Sequence, residues 1–134
     1  ARLPEMFERR MAIVNHYEES FKNSKYFTTL KVKAGVLSSR HLYQIFLDLE
    51  KLTIDRNQFI VEMHERNIGC SVNYKPVHML SYYANKYGLK PQDFPVAYNA
   101  FLGMVSLPLT AKMNVSDAQD VVEAIDSIIK KYTK

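Results

Sequence analysis

The sequence predicts a two-layer α+β domain: a small, mainly antiparallel sheet of three or four short strands, with helices packed on one face. Three observations lead there. Residues 41–49 alternate apolar and polar with the period of a strand, while residues 118–132 carry a wide apolar stripe with the period of a helix. Helices and short strands interleave along a chain of 134 residues, enough for one domain and not for two.

The first element is a helix from the start of the chain, where Leu3, Phe7, Val14, Tyr17 and Phe21 recur at helical steps. Glu5, Glu8, Arg9, Arg10, Glu18 and Glu19 cover much of the remainder. No Ser, Thr, Asp or Asn precedes the stripe as a cap, so the helix reads as cut from something longer upstream. Lys22 to Arg40 is a long connection, with Thr28–Val32 as a short edge strand inside it. His41–Leu49 is the better strand. His41, Tyr43, Ile45, Leu47 and Leu49 fall on one face, and Leu42, Gln44, Phe46 and Asp48 on the other. Leu42 and Phe46 on that second face imply partial cover on both sides.

Asp55 followed by Gln58 opens a helix through Phe59, Ile60 and Met63 that ends near Asn67, with Gly69 for the turn. Ile68, Cys70, Val72 and Tyr74 then alternate with Gly69, Ser71 and Asn73 as a further half-buried strand, stopped by Pro76. A tyrosine-rich short helix over Met79–Tyr87 closes at Gly88. Pro91 and Pro95 bracket a turn before a helix over Val96–Gly103, and Met104–Leu107 is a brief strand halted at Pro108. Asn114 or Ser116 caps the last helix, whose apolar face is Ala118, Val121, Val122, Ile125, Ile128, Ile129 and Tyr132. Asp117, Asp120 and Glu123 near its start, and Lys130, Lys131 and Lys134 near its end, complement the helix dipole.

Composition narrows the class. Hydrophobic residues at 47% and charged residues at 24% describe a folded domain rather than a disordered chain. Area scaling gives about 7,000 Å² of surface for a compact chain of this size. A single cysteine excludes an internal disulfide framework and suits a reducing compartment. No apolar run approaches the ~20 residues of a membrane span, and the start carries no signal-peptide pattern, so a cytoplasmic domain is expected. The net charge of +4 comes largely from residues 20–47, where Lys22, Lys25, Lys31, Lys33 and Arg40 occur without an acid. Such a stretch can meet phosphates on nucleic acid or on a nucleotide-linked substrate. It also reads as a solvated loop whose lysines protect an edge strand.

No self-contained active site is visible. There is no Gly-rich phosphate loop, and His16, His41, His64 and His78 are scattered without a chelating i, i+4 pair. Cys70 reads as a small core residue. The segment Asn67–Tyr83 (N-I-G-C-S-V-N-Y-K-P-V-H-M-L-S-Y-Y) gathers polar tips on apolar bodies. It suits either the wall of a polar ligand pocket or a short helix whose tyrosine hydroxyls reach water.

That segment resembles the G-I-G-T-S-V-H-Y-x-P-L-H-x-x-x-Y-Y stretch of the DegT/StrS family of sugar aminotransferases. The likeness continues in order on both sides. Arg2-Leu3 and the Arg9-Arg10 to Tyr17 spacing resemble the helix that enters this region of the family. Ser39-Arg40-His41-Leu42-Tyr43 is similar to its H-L-Y strand opening, and Arg56-Asn57-Gln58-Phe59 through Asn67 to its R-D-x-F-x-x-x-L-x-E-x-G helix. Phe94-Pro95 and Val105-Ser106-Leu107-Pro108-Leu109 resemble its F-P-x-A to S-L-P-L passage.

The resemblance implies that residues 1–134 are the C-terminal small domain of a fold-type-I enzyme dependent on pyridoxal phosphate (PLP). It implies transfer of an amino group, usually from glutamate, to a keto carbon of a nucleotide-linked sugar by a cytoplasmic homodimer. The Schiff-base lysine would lie in a large domain outside this chain, leaving no catalytic residue here, no metal, no nucleic-acid or membrane partner, and no activity in the fragment alone. Carried over by position, Tyr74 and His78 would shape the substrate pocket, with His41 on the same wall. Asn73 stands where the family usually has His, which leaves hydrogen bonding but removes a titratable ring. Tyr98 in place of Glu and Thr110-Ala111 in place of Tyr-Pro are further departures, implying altered substrate preference or a degenerate member. Two rivals stand beside this reading: a PLP-dependent sugar dehydratase-like relative, marked by histidine at the Schiff-base position, and a free-standing α+β binding module using the basic segment.

Overall fold

Residue Tyr43 to Leu47 buries every second side chain, and that alternation sets the sheet. In the computed structural model, which describes residues 2–134, this strand (β2, Tyr43–Leu47) lies between β1 (Phe27–Thr29) and β3 (Met104–Leu107), antiparallel to both. Phe27 pairs with Leu47, Ile45 with Val105 and Tyr43 with Leu107, so these six buried side chains share one face. The long helices α1 (Leu3–Phe21) and α5 (Val115–Tyr132) contribute Ile13, Val14, Tyr17, Phe21, Val121, Ile125 and Ile128 to the same core. Tyr17 packs on Tyr43 with ring centroids 5.0 Å apart, and Phe21 meets Phe27 edge-on at 5.1 Å. Each such side chain contributes roughly 1.5–3 kcal/mol on burial, so this face stabilises the fold. Helix α2 (Arg56–Glu65) adds Phe59 and Met63 from the side.

The second sheet face carries Thr28, Gln44, Phe46, Met104 and Ser106, and its cover is lighter. Helix α4 (Pro95–Gly103) leads directly into β3 and meets β2 at its end. Close approach at its end requires glycine: a Cβ on Gly103 would lie 2.5 Å from the Leu47 carbonyl oxygen. The helix α3 (Ser81–Tyr87) buries none of its residues, and Tyr82, Tyr87 and Val96 stand exposed. The accessible surface is accordingly 8761 Å², above the compact-chain expectation.

The three-stranded antiparallel sheet with helices on its core face agrees with the predicted class, and the differences are local. The edge strand is Phe27–Thr29 rather than Thr28–Val32, because Phe27 is drawn into the core by Phe21 and Leu47 while Leu30 and Val32 turn out to solvent. The strand expected over residues 41–49 is trimmed to 43–47, leaving His41 and Leu49 outside it. Residues 68–74 do not form a strand. They make one bridge, Ser71 with Ser106, closed by backbone bonds of 2.8 and 3.2 Å. The Gln44 side chain occupies the Asn73 carbonyl that would serve a continued ladder.

Asp55 caps α2 through the Gln58 amide at 2.8 Å, and Asn67 rather than Gly69 takes the left-handed conformation after it (φ 61°). A 3-10 turn over Val77–Met79 precedes α3, which Gly88 closes at φ 64°. Asn114, not Ser116, caps α5, accepting from the amides of Ser116 and Asp117 while the Asp117 carboxylate accepts from the Asn114 amide. Helix α1 begins at Leu3 without a side-chain cap. Its stripe enters the core only from Ile13 onward, since Leu3 remains 76% exposed.

Candidate functional site

The segment 71–78 starts at the β3 edge of the sheet with Ser71, and Asn73 meets Gln44 of the lightly covered face. Ser71 is bridged to Ser106 on β3. Its hydroxyl donates to Asn73 Oδ1 at 2.6 Å, and Gln44 Nε2, projecting from β2, donates to the Asn73 main-chain oxygen. Asn73 is half-buried, the Asn73–Tyr74 peptide bond is cis, and Tyr74 stands 71% exposed beyond it. Asn73 therefore presents a fixed amide and Tyr74 a free phenol.

His78 is placed differently. It sits in the 3-10 turn, 7% exposed, with its ring against Phe94 at a centroid distance of 4.7 Å. Its Nε2 is buried without a hydrogen-bond partner among the described residues. Ser106, 3% exposed, leaves its Oγ in the same condition. Buried polar atoms are normally paired with protein or ordered water, so both stand as exceptions among the described residues.

His41 is exposed just before β2 and lines a groove of about 330 Å³ with Lys31, Ser38, Arg40, Leu42 and Gln44. Gln44 thus belongs to this groove and also reaches Asn73, joining His41 to the Asn73–Tyr74 end of the site. The groove's outer wall is the long loop after β1, fastened at both ends by Arg40. The guanidinium donates to Glu18 Oε1 at 2.8 Å and to the Leu30 carbonyl at 3.1 Å, 5.9 Å from the Tyr43 ring centre. Sequence reasoning missed Gln44, Phe94 and Ser106. The available signal for Gln44 was an amide between Leu42 and Phe46 on a half-buried strand face.

A larger depression of about 640 Å³ lies between β1, the turn after β2 and the last two residues. It holds none of the expected site residues. Cys70 is buried, and that burial pushes its thiol up to about 12, far from a nucleophile's range. No group of three metal-ligating side chains converges among the described residues. No helix there is long and apolar enough to cross a membrane.

A PLP site requires a desolvated amine and a carboxylate facing one pocket. Every lysine among the described residues is exposed. Glu62, the buried carboxylate, is engaged by Arg66, Lys131 and Tyr132. The residues of this chain alone do not fit that cofactor.

A family model described as the DegT/DnrJ/EryC1/StrS aminotransferase family matches residues 1–126. Spore coat polysaccharide biosynthesis protein SpsC of Bacillus subtilis is 36% identical over 130 residues, covering 96% of this chain and 33% of SpsC. The UDP-4-amino-4,6-dideoxy-N-acetyl-beta-L-altrosamine transaminase of Campylobacter jejuni is 33% identical over 134 residues, covering 99% of this chain and 35% of that protein. Among solved structures, the PLP-form of the candidate sugar aminotransferase Spr1654 from Streptococcus pneumoniae aligns at a TM-score of 0.86 with 31% identity. That alignment covers 97% of this chain and 33% of Spr1654, and the PMP-form gives a TM-score of 0.87. The chain spans about a third of the length of the curated relatives it matches.

Proposed function

The chain belongs to the DegT/DnrJ/EryC1/StrS aminotransferase family, and from that premise we propose that it is the C-terminal small domain of a PLP-dependent nucleotide-sugar aminotransferase. The whole enzyme moves an amino group from glutamate to a keto carbon of a nucleotide-linked sugar, as a cytoplasmic homodimer. The observation that carries this reading is the alignment of nearly the whole chain with one third of a PLP-form structure.

On this reading the cofactor and its lysine belong to the remaining two thirds, and this domain supplies a wall of the substrate pocket. Asn73 offers an amide fixed by Gln44 and Ser71, which can orient a sugar hydroxyl but cannot exchange a proton near neutral pH. Tyr74 adds a phenol at the open side. His78, packed against Phe94 and only 7% exposed, shapes that wall with its ring, and His41 lies on the groove beyond Gln44.

The test is turnover by the whole protein with a UDP-linked 4-keto sugar and glutamate. Equal amounts of amino sugar and 2-oxoglutarate are expected, and no turnover by residues 1–134 alone. Failure of the whole protein with such substrates, or turnover by the isolated chain, overturns the reading.

A further inference from the structure

We infer that the groove between residues 30–42 and β2 is an anion subsite that takes the diphosphate of a nucleotide-linked substrate, with Lys31 and His41 as its donors. The identity of the substrate rests on the reading above; the location rests on the groove itself. Residues 20–47 carry five lysine and arginine side chains and no acid. Their cations are not equivalent. Arg40 is paired with Glu18, the one carboxylate in an ion pair with residues 30–42 among the described residues, and its Nη1 donates to the Leu30 carbonyl. Arg40 is therefore the fastener of the loop and not a free charge.

Lys31 follows the clamped Leu30 directly and lines the groove, and it makes no ion pair among the described residues. His41 lines the same groove, also exposed. Ser38 Oγ accepts from the Arg40 amide at 3.2 Å, which leaves its hydroxyl hydrogen free to donate. The groove thus offers a lysine ammonium, an imidazole and a hydroxyl, a donor set for phosphate oxygens with no carboxylate to oppose them. Gln44, which also lines the groove, donates to the Asn73 main-chain oxygen, so a diphosphate here sits between a sugar near Asn73–Tyr74 and a nucleoside further out.

Calorimetric titration of the whole protein with UDP, pyrophosphate, orthophosphate and uridine tests this at fixed salt. UDP and pyrophosphate should bind more tightly than orthophosphate, and Lys31→Ala and His41→Ala should each weaken UDP by about tenfold, one charge-assisted hydrogen bond apiece. Uridine binding should be unchanged by either substitution. Both side chains are exposed, so folding is preserved. UDP affinity unaltered in both variants overturns the subsite even if sugar transamination proceeds. Orthophosphate binding as tightly as UDP also overturns it, marking a site for free phosphate. If UDP binds as expected but no keto sugar is aminated, the subsite stands and the proposed reaction falls.

Discussion

Gln44 Nε2 donates a hydrogen bond to the main-chain oxygen of Asn73, tying the middle strand of the sheet to a segment 29 residues further along the chain. This contact, with the Ser71–Ser106 bridge, replaces the strand ladder that the alternation of residues 68–74 predicts. A pleated ladder would alternate these side chains across the sheet. The observed arrangement instead leaves Asn73 half-buried beside an exposed Tyr74.

Replacing Gln44 by Leu keeps the volume and removes the donor. The Ser106 amide, which donates to Ser71 at 2.8 Å, should lose protection against hydrogen exchange by about 1 kcal/mol, while α5 amides keep theirs. Equal loss in both places would mean that Gln44 supports the whole fold and not this segment.

Glu62 gives a pH dependence. Hydrogen bonds from the Tyr132 hydroxyl and the Arg66 guanidinium, opposed by burial and joined by Lys131, hold its carboxyl down to about 2. A carboxylate lowered on folding stabilises the native state above its unfolded pKa, near 4.3, and that contribution fades as the pH falls toward 2. Thermal melts should therefore show Glu62→Gln well below the wild type at pH 7, with the gap narrowing from pH 4.5 to 2.5. A gap independent of pH would assign the loss to packing alone.

Cys70 should be inert in the native state. With the thiol raised to about 12 by burial, a disulfide reagent at pH 8 should modify it only at the rate of opening, and immediately in denaturant. Rapid native labelling would contradict the core assignment.

Much of the fold was legible because single elements carry their own signal. The period of α5, a cap at Asn114 or Ser116, the alternation of residues 41–49 and the Pro108 stop are local facts; the structure keeps the period and the stop, takes Asn114 as the cap and trims the strand to 43–47. What was not legible depended on partners. Nothing near Ile68–Tyr74 announces that Gln44 will take its carbonyl, and nothing near Thr28 announces that Phe27 will be drawn in by Phe21. The expected site residues could be named only as types, without their arrangement: Asn73 accepts from Gln44, which lines one groove with His41, whereas His78 is packed against Phe94.

The central claim is that this domain forms part of the nucleotide-sugar pocket without holding the cofactor, and His78 tests it most directly. In the whole protein, His78→Ala should raise the KM for the nucleotide-linked sugar by about tenfold, because the ring that shapes this wall beside Phe94 is gone. PLP content and the KM for glutamate should stay as in the wild type. His78→Asn, which keeps a polar tip beside Phe94, should recover part of the loss and controls for the cavity left by alanine. A sugar KM unchanged in both variants, or a loss of PLP in either, would contradict the account.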